Sequence, residues 1–136
     1  MKVGILIVTH EGLGDALVNT ICGTLGHCPL ETEVMSVSRD CDPEAMRREA
    51  RERTERLDHG DGVLVLTDMF GSTPSNIACS LLERRDVQVL AGLNLPMLIR
   101  IFNYPDLPLD ALTDKALSGG HDGVVQCRPN VDSAHG

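Results

Sequence analysis

The chain opens on an unbroken apolar run, Val3-Gly4-Ile5-Leu6-Ile7-Val8, with no polar alternation. That is the pattern of a strand buried on both faces of a parallel sheet. Gly12 and Gly14 interrupt it, and Leu17, Ile21 and Leu25 then recur at helical spacing with Gly26 as the stop, which predicts a first helix over about 14–25. Glu33 to Val37 reads as a shorter second strand ending in the polar stretch Ser38 to Asp42. Asp42-Pro43-Glu44 is a helix start, with Asp42 as N-cap and Pro43 at the first position, and Met46, Ala50 and Leu57 mark the apolar stripe of that helix. Its other face interleaves Glu and Arg, predicting the i,i+4 pairs Glu44–Arg48, Glu49–Arg53 and Glu52–Arg56. Val63 to Thr67 is a second strongly buried strand pattern, followed by Asp68, a Gly-Ser-Thr-Pro turn and a helix carrying Ile77, Ala78, Leu81 and Leu82. Val87 to Ala91 forms a further short apolar run. Helices are expected from Asn94-Leu95-Pro96 through Phe102 and from Pro108 to Leu117, and Gly123 to Cys127 is a candidate final edge strand.

Strands alternating with helices at this spacing call for βαβ units and right-handed crossovers. The expected fold is α/β: a single-domain, open, doubly wound sheet with parallel strands in the order 2-1-3-4. At 136 residues there is room for one ordinary domain, here residues 1–128, with 129–136 as a loose, flexible C-terminal tail.

Composition narrows the function. The formal net charge is −8 and only Phe70, Phe102 and Tyr104 are aromatic. An acidic surface repels phosphate backbones, and three aromatics make no stacking platform, so nucleic acid is not an expected partner. Five cysteines without a CxxC pair read as reduced thiols, with no disulfide expected. The spacing around His27 and Cys28 matches no zinc pattern, and neither a metal nor a cofactor is expected. The N-terminal apolar stretch is short for a signal peptide, and no stretch approaches the ~18 apolar residues of a membrane span. A cytoplasmic protein without a transmembrane segment of its own is the expectation.

In an open α/β sheet, ligands bind beyond the carboxyl ends of the strands where the winding reverses. With the order 2-1-3-4, His10 at the end of strand one and Asp68 at the end of strand three become neighbours there. Two readings stand: a histidine oriented by a carboxylate and poised as nucleophile or base, or a surface histidine beside an unrelated helix-capping aspartate. Gly71, Ser72 and Thr73, ahead of Pro74, open the next helix, and a helix N-terminus with two hydroxyls is a ready anion site. The loop lacks a Walker A lysine, and no GxGxxG follows a strand, so nucleotide binding is unsupported. Together these parts describe a phosphohistidine site.

Three blocks, Gly4 to His10, Asp68-Met69-Phe70-Gly71-Ser72-Thr73-Pro74-Ser75-Asn76, and Ala91-Gly92-Leu93-Asn94-Leu95-Pro96-Met97-Leu98, resemble the IIA components of the mannose class of the bacterial sugar phosphotransferase system. The resemblance runs nearly the whole chain. It implies that His10 accepts a phosphoryl group from the phosphorylated carrier HPr and passes it to a IIB partner for carbohydrate uptake. It further implies that Asp68 orients His10 and that Gly71, Ser72 and Thr73 contact the phosphoryl oxygens. Thr9 is given a supporting place beside His10. Asn94 has two readings, holding the loops of the site or capping the next helix. The resemblance also implies a homodimer that exchanges a fifth, antiparallel strand, for which Gly123 to Cys127 is the candidate. Ser72 departs from the family, which often has a second glycine there. Many members continue into a IIB domain, whereas this sequence ends at Gly136, so a separate IIB partner or none is open. Two alternatives stand beside it: a regulatory phosphoprotein in which the state of His10 controls binding to a target protein, and a flavodoxin-like small-molecule binder in which His10 and Asp68 are incidental.

Overall fold

The computed structural model describes residues 2–129. Four strands, β1 (Gly4–His10), β2 (Thr32–Val37), β3 (Val63–Thr67) and β4 (Val87–Ala91), form one parallel sheet in the order β2-β1-β3-β4. The doubly wound fold expected from the sequence is the fold found.

Period-two side-chain alternation divides the aliphatic runs between two cores. Ile5, Ile7, Leu64 and Leu66 face one way, against α1 (Leu13–Leu25), α4 (Leu95–Phe102) and α5 (Leu109–Asp122), through Ile21, Leu98, Ile101 and Leu112. Leu6, Val8, Val63 and Val65 face the other way, against α2 (Pro43–Leu57) and α3 (Thr73–Cys79), through Ala50, Leu57, Ile77 and Ala78. Both faces are covered, which is why β1 is apolar from Gly4 to Val8 and β3 from Val63 to Leu66. Burying each of these Val, Leu and Ile side chains contributes roughly 1.5–3 kcal/mol. Because α1 and α2 lie on opposite faces, the winding reverses between β1 and β3, and the ends of those two strands flank the crevice.

Four expectations need correction. Helix α5 continues to Asp122 rather than stopping near Leu117. The pair Gly119-Gly120 looks like a stop but is buried, and a Cβ on Gly119 would stand 2.5 Å from Arg100 Cβ. These glycines let α5 approach α4. Residues 123–127 form no strand on this chain's own sheet; Val124 and Val125 are 81% and 71% exposed. Cys22 and Cys28 form a disulfide, because the left-handed turn at Gly26 (φ +84°) folds the chain back and brings their Cα atoms to 5.0 Å. Finally, of the ion pairs expected along α2 only Glu49–Arg53 forms: Arg47 takes Glu44, and Arg56 reaches across to Glu33 on β2. The tail beyond Pro129 lies outside the described residues.

Candidate active site

His10 is the last residue of β1, and Asp68 directly follows β3. Asp68 Oδ2 accepts two hydrogen bonds from His10, one from the main-chain N–H at 2.9 Å and one from ring Nδ1 at 2.7 Å. Asp68 Oδ1 accepts from the Met69 N–H at 2.9 Å. Burial alone would raise the Asp68 carboxyl, but the hydrogen bonds from the His10 main-chain N–H, the His10 ring and the Met69 N–H hold it below the ordinary aspartate value. An ionised carboxylate only accepts, so Nδ1 carries a proton, and in the neutral imidazole that leaves the lone pair on Nε2. Among the described residues nothing hydrogen-bonds to Nε2. The His10 side chain is 50% exposed and that of Asp68 only 9%. The imidazole is therefore open to solvent while the carboxylate that holds it is sheltered.

Behind His10, buried Thr9 fixes the turn into α1. Its hydroxyl donates to the His10 carbonyl at 2.8 Å and accepts the Gly14 N–H at 2.8 Å. Gly14 is required by close approach, since a Cβ there would come within 2.8 Å of Val34 and 3.0 Å of Ile7 and Thr9.

The loop after Asp68 holds itself together. Ser72 caps α3, accepting from the Ser75 N–H, and donates its own hydroxyl proton to the Met69 carbonyl at 2.6 Å. The Gly71 N–H donates to Ser75 Oγ at 3.3 Å. Gly71 has φ +86°, where a side chain would be strained, whereas Ser72 has φ −84°. Thr73 stands in the cleft. It lines a space of about 320 Å³ with His10, Val37, Ser38, Arg39 and Pro74. Of the three residues expected to meet phosphoryl oxygens, Thr73 shares this space with His10, while Gly71 and Ser72 shape the loop.

Residues 4–116 match the family profile EIIA-man, described as PTS system fructose IIA component. The chain belongs to this family. It is 28% identical over 127 residues to the PTS system mannose-specific EIIAB component of Escherichia coli strain K12, a match covering 91% of this chain and 39% of that protein. The chain thus spans well under half the length of such relatives. The crystal structure of phosphotransferase system component EIIA from Streptococcus agalactiae superposes with a TM-score of 0.78 at 27% identity, covering 91% of this chain and 96% of the other. The mannose/sorbose specific IIA subunit from Enterococcus faecalis gives a TM-score of 0.82 at 22% identity over 94% and 96%, a likeness of fold.

Within this IIA fold, Asn94 does two things apart from His10. Its Oδ1 accepts the Met97 N–H, capping α4, and its Nδ2 donates to the Gly120 carbonyl on α5. It lines a second space, of about 430 Å³, with Gly92, Met97, His121 and Val124 beside the β4 edge. The capping reading of Asn94 is the one its contacts support. His27 and His59 are exposed loop residues, His59 beside Glu31, and His135 lies outside the described residues. No group of three or more His, Cys, Asp or Glu side chains able to hold a metal ion occurs among the described residues. Likewise, no described helix is long and apolar enough to cross a membrane.

Ser38 and Arg39, which belong to no motif of the sequence, line the cleft with His10. The available signal was their place at the carboxyl end of β2, the strand adjacent to β1.

Proposed function

We propose that this IIA-family protein is a phosphocarrier whose His10 takes a phosphoryl group from phosphorylated HPr and passes it to a IIB component. The observation carrying this reading is the division of labour on the His10 ring: Nδ1 is tied to Asp68, and Nε2 is unbonded at the cleft. The Nε2 lone pair attacks phosphorus in line, an N–P bond forms, and the donor's N–P bond breaks with its electron pair returning to the donor imidazole. The His10 ring keeps its Nδ1 proton and becomes cationic. Asp68 stabilises that developing charge through the hydrogen bond already in place. Little more is required of the protein, since the donor is already activated and transfer depends on positioning.

Thr73 offers a hydroxyl and Gly71 a loop geometry to the phosphoryl oxygens, with Ser72 holding that loop. Thr9 supports the His10 main chain. The working protein on this reading is a cytoplasmic homodimer, in which residues 123–127 add as an antiparallel strand to the partner's sheet.

The test is discharge. Protein charged with phosphoenolpyruvate, enzyme I and HPr is freed of donor and mixed with a purified mannose-class IIB protein, and both intact masses are followed. Loss of one phosphoryl group from this protein with matching gain by IIB is expected. Stable retention with no gain by IIB would overturn the carrier assignment.

A further inference from the structure

The His10 cleft has a third wall that neither β1 nor the loop after β3 supplies. It is the β2–α2 connection. Arg39 lines the space that His10 shares with Thr73 and Pro74, and also the adjoining space that His10 shares with Glu11 and Asp40. Among the described residues it is the only Lys or Arg lining either space.

Arg39 is exposed, and among the described residues it makes no ion pair and no side-chain hydrogen bond. Arg47, Arg53, Arg56, Arg84 and Arg100 are committed to carboxylates, and Arg48, Arg51 and Arg85, which pair with no carboxylate among the described residues, line neither space. The surroundings of His10 are otherwise acidic: Asp68 behind it, Glu11 next to it, and Asp40 across the adjoining space. A phosphoryl group arriving at Nε2 brings further negative charge, spread over three oxygens, into this field. A guanidinium fork fits those oxygens, and a free one already lines the cleft.

We propose that Arg39 binds the phosphoryl group on His10, drawing it away from the flanking carboxylates and stabilising its oxygens during transfer. The inference rests on His10 being the acceptor, and it names a phosphoryl-binding residue on an element that the family blocks do not include.

A small donor separates this role from docking of a protein partner. Phosphoramidate, zwitterionic at neutral pH with its nitrogen as –NH3+, transfers its phosphoryl group to Nε2: the N–P bond to His10 forms, and the donor's P–N bond breaks with the electron pair on that nitrogen, which leaves as neutral ammonia. The rate of His10 phosphorylation by phosphoramidate is measured by intact mass for the wild type, Arg39→Ala and Arg39→Lys, with thermal melting alongside. A charge-assisted hydrogen bond is worth about a 10- to 100-fold rate change. Arg39→Ala is expected to fall by about tenfold or more, with Arg39→Lys between it and the wild type and melting unchanged. A rate for Arg39→Ala within twofold of the wild type would overturn this inference alone. Absence of any gain on the wild type, with phosphoramidate and with phosphorylated HPr, would overturn the acceptor reading and this inference with it.

Discussion

Asp68 Oδ2 holds His10 at two points, main chain and ring, at 2.9 and 2.7 Å. One carboxylate oxygen thus sets both the end of β1 and the tautomer of its last side chain. On the proposed carrier role, Asp68→Asn removes the charge that would stabilise the phosphorylated ring and no longer requires a proton on Nδ1. Phosphoryl gain should slow by roughly 10²–10⁴-fold while the circular dichroism spectrum stays that of the wild type, a range typical for loss of a positioned acid–base partner. Rapid-quench kinetics with phosphorylated HPr measures this.

The same contact links stability to pH. The folded-state pKa of Asp68 lies below its unfolded value, so its contribution is complete above about pH 4 and is lost as pH falls through the folded value. Thermal melting of wild type and Asp68→Asn across the acid range should show the wild type losing more stability below about pH 4. Parallel curves would contradict the assignment.

Gly14 transmits packing to the site, because its N–H meets Thr9 Oγ1 and Thr9 in turn holds the His10 carbonyl. Gly14→Ala places a methyl 2.8 Å from Val34 Cγ1 and 3.0 Å from Thr9 Oγ1. Overpacking of this kind costs about 1–3 kcal/mol. Urea unfolding should show that loss, together with slower phosphorylation of His10.

The places of His10 and Asp68 were legible because the apolar runs of β1 and β3 fix the limits of those strands, and the order 2-1-3-4 is one that a four-stranded doubly wound sheet allows. Ser72 could not be judged without its φ, which shows the departure from glycine falling where no glycine is needed. The continuation of α5 past Leu117 was not legible, because glycines such as Gly119 and Gly120 serve equally at a close helix contact and at a helix stop. Cys22 and Cys28 lie six residues apart, and their approach depends on the turn at Gly26. Arg39 was hidden for a related reason: the polar residues after β2 carry no periodicity, and only the fold places one of them against His10.

Beside the β4 edge, the exposed Val124 and Val125 are apolar positions without cover on this chain. An edge strand and an apolar extended segment satisfy one another across a dimer. Light scattering at about 50 μM, well above the concentrations at which weak dimers separate, should give a dimer for the full chain and a monomer after removal of residues 124–136. A monomeric full chain would count against strand exchange.

The account stands or falls on His10 as acceptor. Purified wild type and His10→Ala are each incubated with phosphoenolpyruvate, enzyme I and HPr and then weighed intact at neutral pH. The wild type should gain one acid-labile phosphoryl group and His10→Ala none. Equal gain by both proteins would place the phosphoryl group elsewhere and contradict the account.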